Sequence, residues 1–218
     1  MAESSTLRNI CVCKTDLSPI SPGLLARALG NLRDVAMPGT GLTRNQVEAV
    51  FRTVSQDTKM VSLDIGSVQS VSLVNAHWLA TTVKQLQMVH LNDIQLTGQQ
   101  AKAICVSICD GSTLKIFTCN SLHLVTSSLL ARAANRLEAL HTDLFREQTE
   151  AVLTLSLGRT ELKKLNVKII QGVVNKQLIE KAHKNIGIIH LSRLRQPSRS
   201  LNALMFTSRN SKARNFQV

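Results

Sequence analysis

Apolar residues recur along the chain in a short pattern in which the first, fourth and sixth positions are apolar. Eight segments carry it, starting at Leu7, Leu32, Met60, Leu86, Leu114, Leu137, Leu162 and Ile186. Successive starts are 25, 28, 26, 28, 23, 25 and 24 residues apart. Of the 24 residues at these positions only Thr142 is not apolar, whereas a random draw at this composition would supply about 11 apolar residues. Alternation at the fourth and sixth positions is the signature of a short strand with one face turned inward. The stretch to the next segment is long enough for one helix that returns the chain one layer further along.

Helix starts agree with this reading. Ser21 precedes Pro22, a cap followed by proline in the first turn, and Thr43 with Gln46 and Thr97 with Gln100 have the spacing of capping boxes. Longer strings repeat as well. Leu24-Leu25-Ala26-Arg27-Ala28 returns as Leu129-Leu130-Ala131-Arg132-Ala133, each with a leucine eight residues after the first, and residues 42–50 parallel residues 96–104 at an offset of 54. Strand and helix therefore alternate throughout, which predicts an α/β solenoid with one continuous parallel sheet. Leu86, Val89 and Leu91 are expected inside it.

The strings LLARAxxxL and LTxxQxEA, on segments of this length, resemble those of leucine-rich repeat proteins of the ribonuclease-inhibitor-like subclass, and are similar to the repeat regions of NOD-like receptors. The resemblance covers residues 7 to about 194. It implies a horseshoe of about eight repeats, with the sheet on the concave face and helices on the convex face. It also implies a protein-interaction module, the recognition part of a larger receptor-like protein. One departure concerns the ninth position, where the family carries Asn or Cys; here it reads Thr15, Thr40, Val68, Ile94, Leu122, Phe145, Ile170 and Leu194. Loop backbone groups are expected to be less well satisfied there. Thr142 and the short sixth repeat predict an irregularity, with a bend, between about residues 137 and 162. No polar cap precedes Leu7, which fits either packing on a preceding domain or subunit, or a gene fragment or degenerate end repeat.

Charge divides the chain. The net charge is +12, but residues 1–161 hold 14 Lys/Arg against 13 Asp/Glu, while residues 162–218 hold 12 against Glu180 alone. Residues 1–195 are assigned to the repeat array and residues 196–218 to a basic tail, part capping and part without structure. Leu201, Leu204, Met205 and Phe206 are expected to form a turn over the last repeat. Only six residues are aromatic and none is Tyr, so a base-stacking platform for single-stranded nucleic acid is unlikely to be built. No run approaches the roughly 18 apolar residues of a membrane span. Five cysteines with no CxxC pair and a polar opening Ala2-Glu3-Ser4-Ser5-Thr6 favour a reduced, cytoplasmic setting.

The fifth position of each segment reads Cys11, Ala36, Asp64, His90, Thr118, His141, Asn166 and His190, polar in six of eight, as expected for an exposed binding surface. Alternate strands would hold His90, His141 and His190 roughly 10 Å apart, too far for one zinc, so no shared metal is expected. Lys163, Lys164, Lys168 and Arg193 add basic groups, expected within roughly 5–10 Å of one another as one positive site. Histidines on that face would strengthen an acidic partner as pH falls. Lys176, Lys181 and Lys184 on the intervening helix read as a solvated face. Cys105, Cys109 and Cys119 read as small core residues, and Cys11 and Cys13 as exposed thiols, with no redox site assigned.

Without GxSxG, a P-loop or a Gly-rich nucleotide fingerprint, neither enzyme activity nor a cofactor is expected. The expected partner is a protein, of acidic character, met on the concave face by Asp64, His90, His141, Lys163, Lys164, Asn166, Lys168, His190 and Arg193. A basic nucleic-acid or polyanion binder acting through the C-terminal repeats and tail is the alternative. The oligomeric state is not written in the sequence.

Overall fold

The computed structural model describes residues 7–56 and 59–193, together with the backbone of Leu204–Thr207. Each of the eight segments forms a strand: β1 Asn9–Cys11, β2 Asp34–Ala36, β3 Ser62–Asp64, β4 Met88–Leu91, β5 Ile116–Cys119, β6 Ala139–Leu144, β7 Lys164–Ile169 and β8 Ile188–Arg193. All seven pairings between consecutive segments are parallel, so the strands lie in chain order in one open sheet. Seven helices fill the returns: α1 Pro22–Leu29, α2 Arg44–Ser55, α3 Ala76–Gln85, α4 Gly98–Cys109, α5 Ser127–Ala134, α6 Arg146–Leu155 and α7 Lys176–Ala182.

The core lies between sheet and helices. Fourth-position residues Val35, Leu63, Val89, Phe117, Leu140, Leu165 and Ile189 are buried, as are Leu86 and Leu91. Ile10 on β1 is half-buried and Leu7 is exposed, because β1 has a neighbour on one side only. Helices need about 8–10 Å of lateral spacing where strands need about 4.8 Å. Stacking both in step therefore curves the array, with the sheet on the inner side and its second face open.

A ninth strand, β9 Leu204–Thr207, pairs antiparallel with β8. The turn expected over Leu204 to Phe206 is thus a strand, formed because the free edge of β8 offers unpaired backbone groups that a returning segment can satisfy. The rest of the expected tail, including Leu201, Arg199, Arg209, Lys212 and Arg214, lies outside the described residues. The irregularity expected around residues 137–162 is absent. β6 pairs without a gap on both sides, and Thr142, aligned with Cys119 and Val167, is buried with its hydroxyl turned to the Asp143 carbonyl at 3.5 Å. A hydroxyl with a local acceptor fits a slot that a methyl-bearing residue would fill.

In three of the loops, carbonyls just before the helix are satisfied by a buried glutamine of the next repeat. Gln46, Gln100 and Gln148 occupy the third position of α2, α4 and α6. Gln100 Oε1 accepts from the Thr97 backbone N–H at 2.9 Å and from its hydroxyl at 3.2 Å, and Thr97 Oγ1 accepts from the Gln100 N–H at 3.2 Å. Its Nε2 then reaches back one repeat and donates to the carbonyls of Ser72 at 3.1 Å and Val74 at 2.7 Å, just before α3. Gln46 Nε2 meets Leu17 and Ile20 in the same way before α1, and Gln148 Nε2 meets His123 and Val125 before α5. In α6 Phe145 replaces the capping threonine, yet its N–H still donates to Gln148 Oε1 at 3.0 Å. One amide thus caps its own helix and straps it to the preceding one. Helix packing follows: α1–α2, α3–α4 and α5–α6 are in closer contact than α2–α3, α4–α5 and α6–α7.

The eighth position of the first four segments is left-handed, at Lys14 (φ 51°), Gly39 (φ 66°), Ser67 (φ 60°) and Asp93 (φ 56°). The turn out of the strand requires it, and only Gly39 adopts it without a Cβ penalty.

Two stability effects should be measurable by chemical denaturation. Gln100→Leu fills the volume but orphans the Thr97 N–H and the carbonyls before α3, and should cost about 2–4 kcal/mol; an unchanged midpoint would mean those carbonyls are hydrated and not strapped. Ser67→Gly removes a left-handed penalty at an exposed site and should stabilise by up to about 1 kcal/mol.

Candidate binding face

Strand alternation places the fifth position of every segment on the open face, and the pairing register aligns all eight in one row. Cys11 lies beside Ala36, then Asp64, His90, Thr118, His141, Asn166 and His190. Two neighbouring pairs within the row are hydrogen-bonded. His90 Nδ1 lies 2.8 Å from Thr118 Oγ1, and Asn166 Oδ1 accepts from His190 Nδ1 at 3.0 Å. Those bonds fix two rings and turn their Nε2 atoms outward. His141 sits between the pairs without a hydrogen-bond partner among the described residues. The three histidines occupy alternate strands, and no group of three or more His, Cys, Asp or Glu able to hold a metal is found among the described residues.

Basic groups reach this face from β7. Lys164, Asn166 and Lys168 alternate along the strand with the buried Leu165, Val167 and Ile169, so both lysines flank the row. Lys164 lies beside Ala139 and Ile188, and Lys168 beside Asp143 and Ser192. Asp143 tempers the positive charge; its Oδ2 also accepts from Asn120 Nδ2 at 3.2 Å.

The other two basic candidates are placed elsewhere. Lys163 precedes β7 with the opposite parity, and its ammonium lies 3.2 Å from Glu138, whose second oxygen meets Lys115 at 3.3 Å. The two lysines, Lys163 foremost, hold the Glu138 carboxyl below its ordinary range. Arg193 is exposed at the end of β8 but aligned with Ile169, on the parity of the core. The cluster of four expected from the sequence is therefore a pair, Lys164 and Lys168, with His141, Asn166 and His190. Asp64 and His90 belong to the same row but further along: β3 and β7 are four spacings apart, about 19 Å. Asp64 Oδ1 is engaged with the Gly66 N–H at 3.0 Å.

Electrostatics single out His141. Although the residue is exposed, neighbouring side chains on the curved face crowd its ring, and this burial is the main cause that pushes its pKa below the ordinary histidine value. Asp143 pulls it up, and His190, Lys164 and Lys168 push it further down.

No family model matches the chain, and no curated protein matches it in sequence. Among the described residues no helix is long and apolar enough to cross a membrane.

A depression opens at the other end of the face. About 280 Å³ in volume, it is lined by Cys11 and by Asp34 and Asp64 among others, and it lacks the lysines of β7. The row of polar side chains was visible in the sequence spacing, whereas the acidic lining of this depression was not, because Asp34 stands at the third position, which varies from Ser62 to Met88, Ile116 and Lys164 and so forms no column of one character.

An NMR titration of the imidazoles should find His141 changing charge below the ordinary value of about 6.5. Lys168→Gln should raise its midpoint and Asp143→Asn should lower it. Because the folded chain favours the neutral ring, stability attached to this group is complete above the ordinary histidine value and declines as pH falls below it. A midpoint at or above the ordinary value would remove the crowding from the argument.

Proposed function

We propose that this chain is a leucine-rich-repeat protein of the ribonuclease-inhibitor-like kind, similar to the repeat regions of NOD-like receptors, and that it acts as a protein-interaction module. In this reading it serves as the recognition part of a larger receptor-like protein, in the reducing cytoplasm, where its five free cysteines would be kept as thiols. The partner is a protein that presents acidic side chains to the inner face of the sheet.

The observation that carries the reading is the row of six consecutive polar fifth-position side chains from Asp64 to His190, flanked on β7 by Lys164 and Lys168. A rigid sheet that spaces hydrogen-bonded His, Thr and Asn side chains at strand intervals presents recognition groups with little left to order on binding. Positive charge beside the row favours carboxylates and accelerates their encounter. The second reading, a nucleic-acid or polyanion binder, draws support from the charge of residues 162–218; the opposed carboxylates of Asp143 and Glu138 and the scarcity of aromatics weigh against it.

The test titrates the wild type and the double variant Lys164→Glu, Lys168→Glu against a polyglutamate peptide and a random-sequence DNA duplex, at low and high salt. For the peptide, the variant should lose affinity mainly through a slower association rate, with the loss shrinking as salt rises, while stability changes by less than about 0.5 kcal/mol. Equal peptide affinity for the two proteins at low salt would move the contact to another surface. Tight, salt-sensitive binding of DNA alone would select the second reading.

A further inference from the structure

We propose that Cys11 and Cys13 form an oxidisable dithiol, which closes to an intrachain disulfide by exchange with a low-molecular-weight disulfide. The two sulfurs lie 3.3 Å apart, and both residues are exposed. Closing the bond requires an approach to about 2.05 Å, which side-chain rotation and a slight pucker of the chain can supply. The fold sets up the encounter. Cys11 ends β1, and the stretch that follows stays tied to β2 through Val12 N–H to the Ala36 carbonyl at 2.8 Å and Lys14 N–H to the Pro38 carbonyl at 3.0 Å. With the backbone held on both sides, residues two apart in extended chain project to the same side, and neither sulfur is drawn into the core.

The chemistry has a direction. The Cys13 thiol is raised above its ordinary range, first because its proton is shared with the Cys11 sulfur, then by burial and by the negative charge of Cys11 and Asp64, with Lys14 opposing. A raised thiol is less often ionised, so the second attack is assigned to Cys13. The Cys11 thiolate attacks one sulfur of the external disulfide, forming a mixed disulfide and releasing one thiolate. Cys13 then gives its proton to solvent and attacks the Cys11 sulfur, releasing the second thiolate. Two protein thiols are oxidised and one external disulfide is reduced to two thiols. Two of the other three cysteines are excluded from this exchange by position. Cys105 and Cys119 are buried, and burial pushes both thiols up to about 12. Since Cys11 lines the depression that also holds Asp34 and Asp64, closure would alter the end of the open face opposite the lysines.

The experiment equilibrates the native chain in glutathione buffers of increasing disulfide content, quenches with acid, alkylates the remaining thiols and digests with trypsin. Cleavage after Arg8 and Lys14 puts both cysteines in one hexapeptide, Asn9–Lys14. Closure should appear as loss of two hydrogens from that peptide with no adduct, while Cys105 and Cys119 stay unmodified and report that the chain is folded. The native chain should close at about tenfold less oxidised glutathione than the same chain unfolded in urea. Cys13→Ser should stop at a single glutathione adduct on Cys11, and Cys11→Ser should react more slowly. A wild type that stably carries glutathione on either cysteine, or that closes no more readily folded than unfolded, would overturn the proposal.

Discussion

Everything on the open face depends on one constraint: seven successive parallel pairings without a slip. A shift of one residue at any of them would exchange the two faces of every strand beyond it, sending His141 or Asn166 toward the helices and Leu140 or Leu165 toward water. The core prevents this, because Val35, Leu63, Val89, Phe117, Leu140, Leu165 and Ile189 have no other place to be buried. The polar row is thus a by-product of apolar packing on the reverse side. Its alignment needs no interaction among its own members, although the bonds from His90 to Thr118 and from His190 to Asn166 sharpen it.

Much of this was legible in the residue order, for a physical reason. A solenoid repeats one local solution, so a weak signal such as three apolar positions in six becomes strong when eight copies agree, and the same count that finds the core also finds the fifth position. Chemistry that depends on where a strand begins, or on a partner in another repeat, was not legible. Lys163 and Lys164 are adjacent in sequence, yet one joins an ion pair with Glu138 and the other borders the row. Gln46 and Gln100 announced themselves as capping residues through Thr43 and Thr97, but nothing local shows that their amide nitrogens reach the carbonyls before the previous helix. Gln148 gave no signal at all, since Phe145 stands where the threonine would be. Thr142 misled in the opposite sense: polar by type, it is small enough and close enough to a carbonyl to pass for a core residue.

The two ends of the face differ in kind. Around β7 it offers fixed cations and imidazoles, groups that respond to ionic strength and acidity. Around β1 it offers two carboxylates beside two thiols, and the thiols respond to oxidants. A ligand long enough to span the row would meet both, so its binding would be graded by two independent features of its surroundings.

The glutamine straps join helices in twos, and so they also divide the array. A break between α2 and α3 severs only the bonds from Thr82 to the Phe51 carbonyl and from Gln85 to the Ser55 carbonyl, whereas a break within a pair strands a buried capping amide and the carbonyls it holds. Under a pulling force applied at the two ends, the molecule would therefore come apart in double steps, each releasing two strands and two helices together. α7, which no glutamine from a following helix holds among the described residues, is tied back to the end of α6 through Asn185 Nδ2 on the Ser156 carbonyl at 2.8 Å, and would come away as a single unit once that bond broke.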